Sequence, residues 1–150
     1  MTTAAGVPDS TFVDANVLVF ANSPSAPFHL AAVAKLRSLQ DSGVELCISR
    51  QVCREYLATL SRPQFFGQPV AALTLTADVR RFERQFRVLE DGPAVTVQLL
   101  NLLSTIPCGG KQVHDANIVA TMLAHGIARV LTHNTSDFVR FAGVVTVLAI

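Results

Sequence analysis

Several acid and amide side chains stand where the surrounding sequence is apolar. In the predicted helix Val113–His125, Asp115, Ile118, Val119 and Met122 share one face at i, i+3, i+4, i+7 spacing, so a carboxylate heads the face that should pack on a sheet. An acid in a first helical turn is also stabilised by the helix dipole, by about 0.3–1 kcal/mol, and that plainer reading stands beside the functional one. Asp14 directly follows the short apolar stretch Thr11-Phe12-Val13. Ligands of open parallel sheets bind just beyond strand carboxyl ends, although an Asp here is equally an N-cap for a helix starting at Ala15. Thr132-His133-Asn134-Thr135-Ser136-Asp137-Phe138 repeats this arrangement after a second predicted strand, with Asn134 or Thr135 also able to cap a short helix. Glu55 is different: Cys53, Leu57 and Leu60 form the apolar stripe on the other side of its helix, so periodicity alone puts Glu55 on a solvated face, flanked by Val52 and Tyr56.

Carboxylates gathered at the ends of neighbouring parallel strands repel one another and hold protons unless a cation compensates. The usual compensation is a hard divalent ion with oxygen ligands, Mg²⁺ or Mn²⁺, held by one or two carboxylates and completed by water and substrate phosphate. Such a site activates water and neutralises the charge that develops on a phosphodiester.

Composition makes each acid conspicuous. The chain has 150 residues, of which 50% are hydrophobic and 15% charged, with 12 Lys and Arg against 11 Asp and Glu. An average globular domain carries about 25% charged residues. This excludes a disordered chain, and it excludes a global field that recruits a polyanion, leaving only a local basic patch for nucleic acid. The length suits one domain spanning residues 1–150. Cys47, Cys53 and Cys108 are odd in number and lack zinc spacing, which predicts free thiols in a reducing cytoplasm. Met1–Ser10 has no basic region leading into an apolar one, and the longest apolar runs fall short of the ~18 residues that span a bilayer, so no membrane association is expected. A mean hydropathy of +0.40 then implies large buried faces, a subunit interface among them.

The elements that must position these groups read as an alternation. Thr11–Val13, Glu45–Ser49, Val88-Leu89, Arg129–Thr132 and Val144–Leu148 are predicted strands. Between them fall a helical turn to Ala21, helices over Phe28–Ser42 (Leu30, Val33, Leu36 and Leu39 in phase, Gly43 as stop) and Gln51–Ser61, and an amphipathic helix carrying Leu75, Val79, Phe82 and Phe86. Val95–Ser104 and Val113–His125 complete the set, the latter closed by Gly126. Strands alternating with helices predict an α/β domain with a mostly parallel sheet.

Four segments carry a resemblance: Phe12-Val-Asp14-Ala-Asn-Val-Leu18, Ser49-Arg-Gln-Val-Cys-Arg-Glu55-Tyr, His114-Asp115-Ala-Asn-Ile-Val-Ala120 and Leu131-Thr-His-Asn134-Thr-Ser-Asp-Phe138. In this order and spacing the chain resembles the PIN-domain ribonucleases, most closely the VapC toxins of bacterial VapBC toxin–antitoxin modules. The resemblance implies a three-layer α/β/α domain around a central, mostly parallel sheet of four to five short strands. It implies Mg²⁺-dependent endonucleolytic cleavage of single-stranded or loop RNA, with Mn²⁺ as a possible substitute. Asp14 and Asp115 are the implied metal ligands. Glu55 joins them as a third acidic position, which reverses the periodicity reading. Where the family commonly has an acid two residues after the strand-end Thr, this chain has Asn134, with Asp137 three residues further on, and either can complete the site. A VapB-type antitoxin partner and a homodimer follow from the same resemblance.

Arg50, Lys111 and His114, beside these motifs, are candidate contacts for a bound phosphodiester, as are Arg54 and His133. Arg80, Arg84 and Arg87, with Arg81 adjoining, are predicted to share a helix face that could steer RNA or meet an acidic antitoxin segment, or simply face solvent. Two further readings stand beside this one: a metal-dependent phosphoesterase acting on small molecules through the same pocket, and a non-catalytic RNA- or protein-binding module that keeps the fold but not the chemistry.

Overall fold

The computed structural model describes residues 9–150, so nearly all of the Met1–Ser10 stretch considered above lies outside the described residues. The strands are β1 (Ser10–Val13), β2 (Glu45–Ser49), β3 (Arg87–Leu89), β4 (Arg129–Thr132) and β5 (Thr146–Ala149). The helices are α1 (Ala15–Ala21), α2 (His29–Asp41), α3 (Arg50–Leu60), α4 (Ala72–Gln85), α5 (Pro93–Thr105) and α6 (Gln112–Ala124), with a 3-10 helix over Thr135–Phe141. All five strands pair in parallel, in the order β3-β2-β1-β4-β5.

The chain builds outward from β1 through β2 to β3, returns to the far side of β1 to add β4, and ends at β5. Right-handed crossovers then send α1–α4 to one face of the sheet and α5, α6 and the 3-10 helix to the other. The packing agrees: α1 lies against α2 and α3, and α3 against α4, while α5 packs on α6 and α6 on the 3-10 helix. This is the expected three-layer α/β/α architecture. The central strands are buried on both faces, with Phe12, Val13, Val130 and Leu131 fully enclosed and Thr11 and Thr132 the polar residues buried beside them. Ile118, Val119 and Met122 of α6 pack into the same core, as their spacing requires.

Gly43 and Gly126 take left-handed φ angles of 79° and 70°, which explains why helices α2 and α6 stop where they do. Three local expectations are corrected. Leu30 is 79% exposed, because α2 lies mainly against α1 and β2, and Ala32 is its one fully buried residue among those described. The amphipathic helix ends at Gln85, so Arg87 belongs to β3 and pairs with Glu45 instead of joining Arg80 and Arg84 on a helix face. The last strand starts at Thr146, since Val144 and Val145 are held in a turn by the Phe141 carbonyl. Cys47, Cys53 and Cys108 are free thiols. Among the described residues, no helix is long and apolar enough to cross a membrane.

Candidate active site

The strand order reverses between β1 and β4, and a crevice forms beyond their carboxyl ends at such a reversal. Asp14 leaves β1 there. The β1–β4 register pairs Val13 with Leu131 and extends one residue further, the Asp14 amide donating to the Leu131 carbonyl at 3.0 Å. This puts the Asp14 carboxyl beside Thr132, whose hydroxyl donates to Oδ2 at 2.9 Å. Oδ1 accepts from the Ala15 amide at 2.8 Å, so Asp14 does cap α1, and the capping and functional readings hold together. Asn16 completes the junction: its amide nitrogen lies 3.2 Å from both Asp14 Oδ2 and Thr132 Oγ1, and its oxygen accepts the His133 amide at 2.9 Å. Thr132 Oγ1 also accepts the Asn134 amide at 3.1 Å. Asp14 is only 7% exposed. Burial pushes its pKa up to about 6, against the pull of the bonds from Thr132 and Ala15.

Asp115, in the first turn of α6, is pushed up to about 7, first by burial and then by the charges of Asp137, Asp14 and Glu55. Arg140 opposes this weakly; its guanidinium is engaged by the Pro107 carbonyl and Gln112. Asp137 is exposed on the 3-10 helix. Glu55 lies on α3, where its Oε1 accepts from Gln51 at 2.9 Å. Asp14, Glu55, Asp115, Asn134 and Asp137 all line one cleft of about 370 Å³, together with Asn16, Phe20, Phe65 and Phe66. The face that periodicity assigns to solvent is thus the cleft wall: the stripe of Cys53 and Leu60 packs inward while Glu55 points across to α6.

The other sequence candidates fall elsewhere. Arg50 was expected at the substrate phosphate, yet its guanidinium is committed to Glu83 at 2.6 Å and Glu90 at 2.8 Å, outside the cleft lining. Lys111 and His114 are exposed at the start of α6 and do not line the cleft. Arg81 pairs with Asp78 and donates to Asn22, leaving Arg80 and Arg84 as the exposed basic residues of α4. Sequence reasoning missed the supporting amides and hydroxyl, Gln51, Asn16 and Thr132. Each sits within four residues of a candidate acid or amide, the one signal that could have marked them.

The donor set suits a hard cation. Among the described residues, none of the four carboxylates is ion-paired to a lysine or arginine, and the pKa values of Asp14 and Asp115 are raised chiefly by burial, with the neighbouring carboxylates adding to it. Among the described residues, no three His, Cys, Asp or Glu side chains are grouped closely enough to hold a metal ion by themselves. Mg²⁺ does not require such a group, since it keeps several waters and takes one or two carboxylates. Asp14 and Asp115 could supply those.

The family model described as PIN domain matches residues 11–144. Ribonuclease VapC48 of Mycobacterium tuberculosis is 29% identical over 134 residues, covering 87% of this chain and 91% of that protein. Among solved structures, VapBC2 from Rickettsia felis, bound to a DNA fragment from its promoter, superposes with a TM-score of 0.67 at 14% identity, over 94% of this chain and 98% of that one. A toxin–antitoxin complex from Klebsiella pneumoniae gives 0.64 at 19% identity, over 92% and 95%. The resemblance carried by the four motifs is borne out, and the chain belongs to the PIN domain family.

Proposed function

We propose that this chain is the toxin of a type II toxin–antitoxin pair, a Mg²⁺-dependent endoribonuclease acting in the cytoplasm and held inactive by a VapB-type antitoxin. The observation that carries the reading is the cleft at the β1–β4 reversal, lined by four carboxylates of which, among the described residues, none is ion-paired to a lysine or arginine. The VapC name of its curated relatives supports ribonuclease chemistry, and the antitoxin-bound neighbours support the partner. The apolar side chains Val97 and Leu100, exposed on α5, support a homodimer.

Asp14 and Asp115 would hold Mg²⁺, with Mn²⁺ able to replace it. The ion supplies Lewis-acid neutralisation of the phosphate and lowers the pKa of coordinated water. Glu55, fixed by Gln51, orients the attacking water and accepts its proton as the phosphorus–oxygen bond to the leaving nucleotide breaks. Asn134 and Asp137 complete the rim, Asn134 through its amide and Asp137 through its exposed carboxylate. The Asp14 bond from Thr132 selects one carboxylate orientation before substrate arrives.

The test is cleavage of RNA with Mg²⁺ or Mn²⁺, compared with excess EDTA and with Asp14→Asn and Asp115→Asn. Asn caps helices as well as Asp, so Asp14→Asn retains the fold while losing a charge. Loss of cleavage in all three arms is expected; full activity in any of them overturns the mechanism. A generic phosphoester assayed alongside separates RNA cleavage from small-molecule hydrolysis.

A further inference from the structure

Two phenylalanines stand at the tip of the tight turn Gln64–Gly67, closed by the Gln64 amide to the Gly67 carbonyl at 2.9 Å and the Gly67 amide to the Gln64 carbonyl at 3.1 Å. Turn tips favour Gly, Asn, Asp, Pro and Ser, each for a backbone reason, and neither Phe supplies one. Phe65 is 86% exposed, although it is among the most apolar residues of the chain. The turn is nonetheless fastened: Gln64 donates to the Thr59 carbonyl at 2.8 Å, and Ser25 donates to the Phe66 carbonyl at 2.8 Å. A rigid turn thus presents an open ring face, and both rings line the same cleft as Asp14, Glu55 and Asp115.

The aromatic surface continues inward. Phe65 and Phe66 meet edge to face at 5.0 Å, Phe66 and Phe20 at 6.3 Å, and Phe20 and His133 at 5.1 Å. Phe20, Phe65 and Phe66 line the cleft together with Asp14, Glu55 and Asp115, so the wall runs from the turn to the carboxylates. An aromatic wall contiguous with a carboxylate cleft suited to a divalent cation fits a ligand that is flat at one end and, at the other, carries an anionic group for that cation. Aromatic faces bind unpaired bases by stacking, whatever the base, and a duplex hides those faces.

We propose that Phe65, backed by Phe66 and Phe20, is a stacking platform for an unpaired nucleobase of the RNA next to the scissile phosphate. This rests on the ribonuclease reading above. The contact places a splayed base on the wall while its phosphate faces the cation that Asp14 and Asp115 would hold.

The chain contains no tryptophan, so Phe65→Trp introduces a single fluorescent reporter at the exposed ring. In an Asp14→Asn background with Mg²⁺ present, the indole emission of the Phe65→Trp variant should be quenched by an unpaired oligoribonucleotide and not by the same sequence in a duplex. Phe65→Ala in that background should bind the unpaired RNA about tenfold more weakly. Its near-complete exposure means that the truncation leaves the fold intact, which a circular dichroism melt checks. Unchanged affinity in Phe65→Ala, or equal quenching by duplex, overturns the platform, including the case in which the turn serves a protein partner instead. If the unmodified chain still cleaves RNA with Mg²⁺ in that event, the platform alone falls; if it neither binds nor cleaves RNA, the ribonuclease reading falls and takes the platform with it.

Discussion

The Gln51 carboxamide donates one hydrogen to Glu55 Oε1 and the other to the His114 carbonyl, both at 2.9 Å, and its oxygen accepts from Asn117 at 2.9 Å. One nearly buried side chain therefore ties the helix that carries Glu55 to the first turn of the helix that carries Asp115. Every hydrogen and one lone pair of the amide are used, so its orientation is unique.

Gln51→Ala leaves the His114 carbonyl and the Asn117 amide short of a partner and frees Glu55 to turn. Stability should fall by about 1–3 kcal/mol. Cleavage should lose roughly tenfold or more in kcat with little change in KM, because orientation is lost and substrate contact is not. Steady-state kinetics beside a urea melt would check this; an equal loss in every variant of matching stability would reduce Gln51 to a packing residue.

Thr132→Val keeps the shape of the side chain and removes the bond to Asp14 Oδ2. That bond favours the ionised carboxyl, so its loss raises the Asp14 pKa further above about 6. The pH at which metal-dependent cleavage reaches half its plateau should move upward, and a pH–rate profile of both proteins measures the displacement.

Asp14 and Asp115 have folded pKa values of about 6 and about 7, above the ordinary carboxylate range of an unfolded chain. The folded state therefore binds more protons than the unfolded state between about pH 4 and 7, and stability declines as pH rises through that window. For Asp14 alone the loss is on the order of 3 kcal/mol in metal-free protein. Melts from pH 4.5 to 7.5 should show a shallower decline in Asp14→Asn, and added Mg²⁺ should raise the melting temperature most at the alkaline end.

Arg50→Ala should leave cleavage within about twofold of the parent and the melting temperature almost unmoved. Its partners Glu83 and Glu90 are solvent-exposed, and exposed pairs contribute little. A large drop in RNA affinity would show that the guanidinium leaves these acids for the substrate.

Much of the site was legible because acids are scarce in this chain. Asp14 and Asp137 stand after strands and Asp115 interrupts an apolar helix face, positions that local pattern can detect. Glu55 was not legible from pattern, since periodicity reports which side of α3 packs inward and is silent on what faces the other side. Only the resemblance placed it. Arg50 misled for a related reason: its partners lie 33 and 40 residues away, a pairing that no local spacing reveals. The fold was readable wherever a stripe met the core, and the reading failed at Leu30, which lies on the side of α2 turned away from α1 and β2.

The bond between Thr132 and Asp14 spans 118 positions of the chain. A nascent polypeptide that has emerged only as far as β3 carries Asp14 and Glu55 but has neither α6 nor β4 to face them. The cleft comes into being only late in synthesis, when the last third of the chain docks against the first strand. A cleft with this set of carboxylates is therefore a property of the nearly finished chain and of none of its shorter nascent forms.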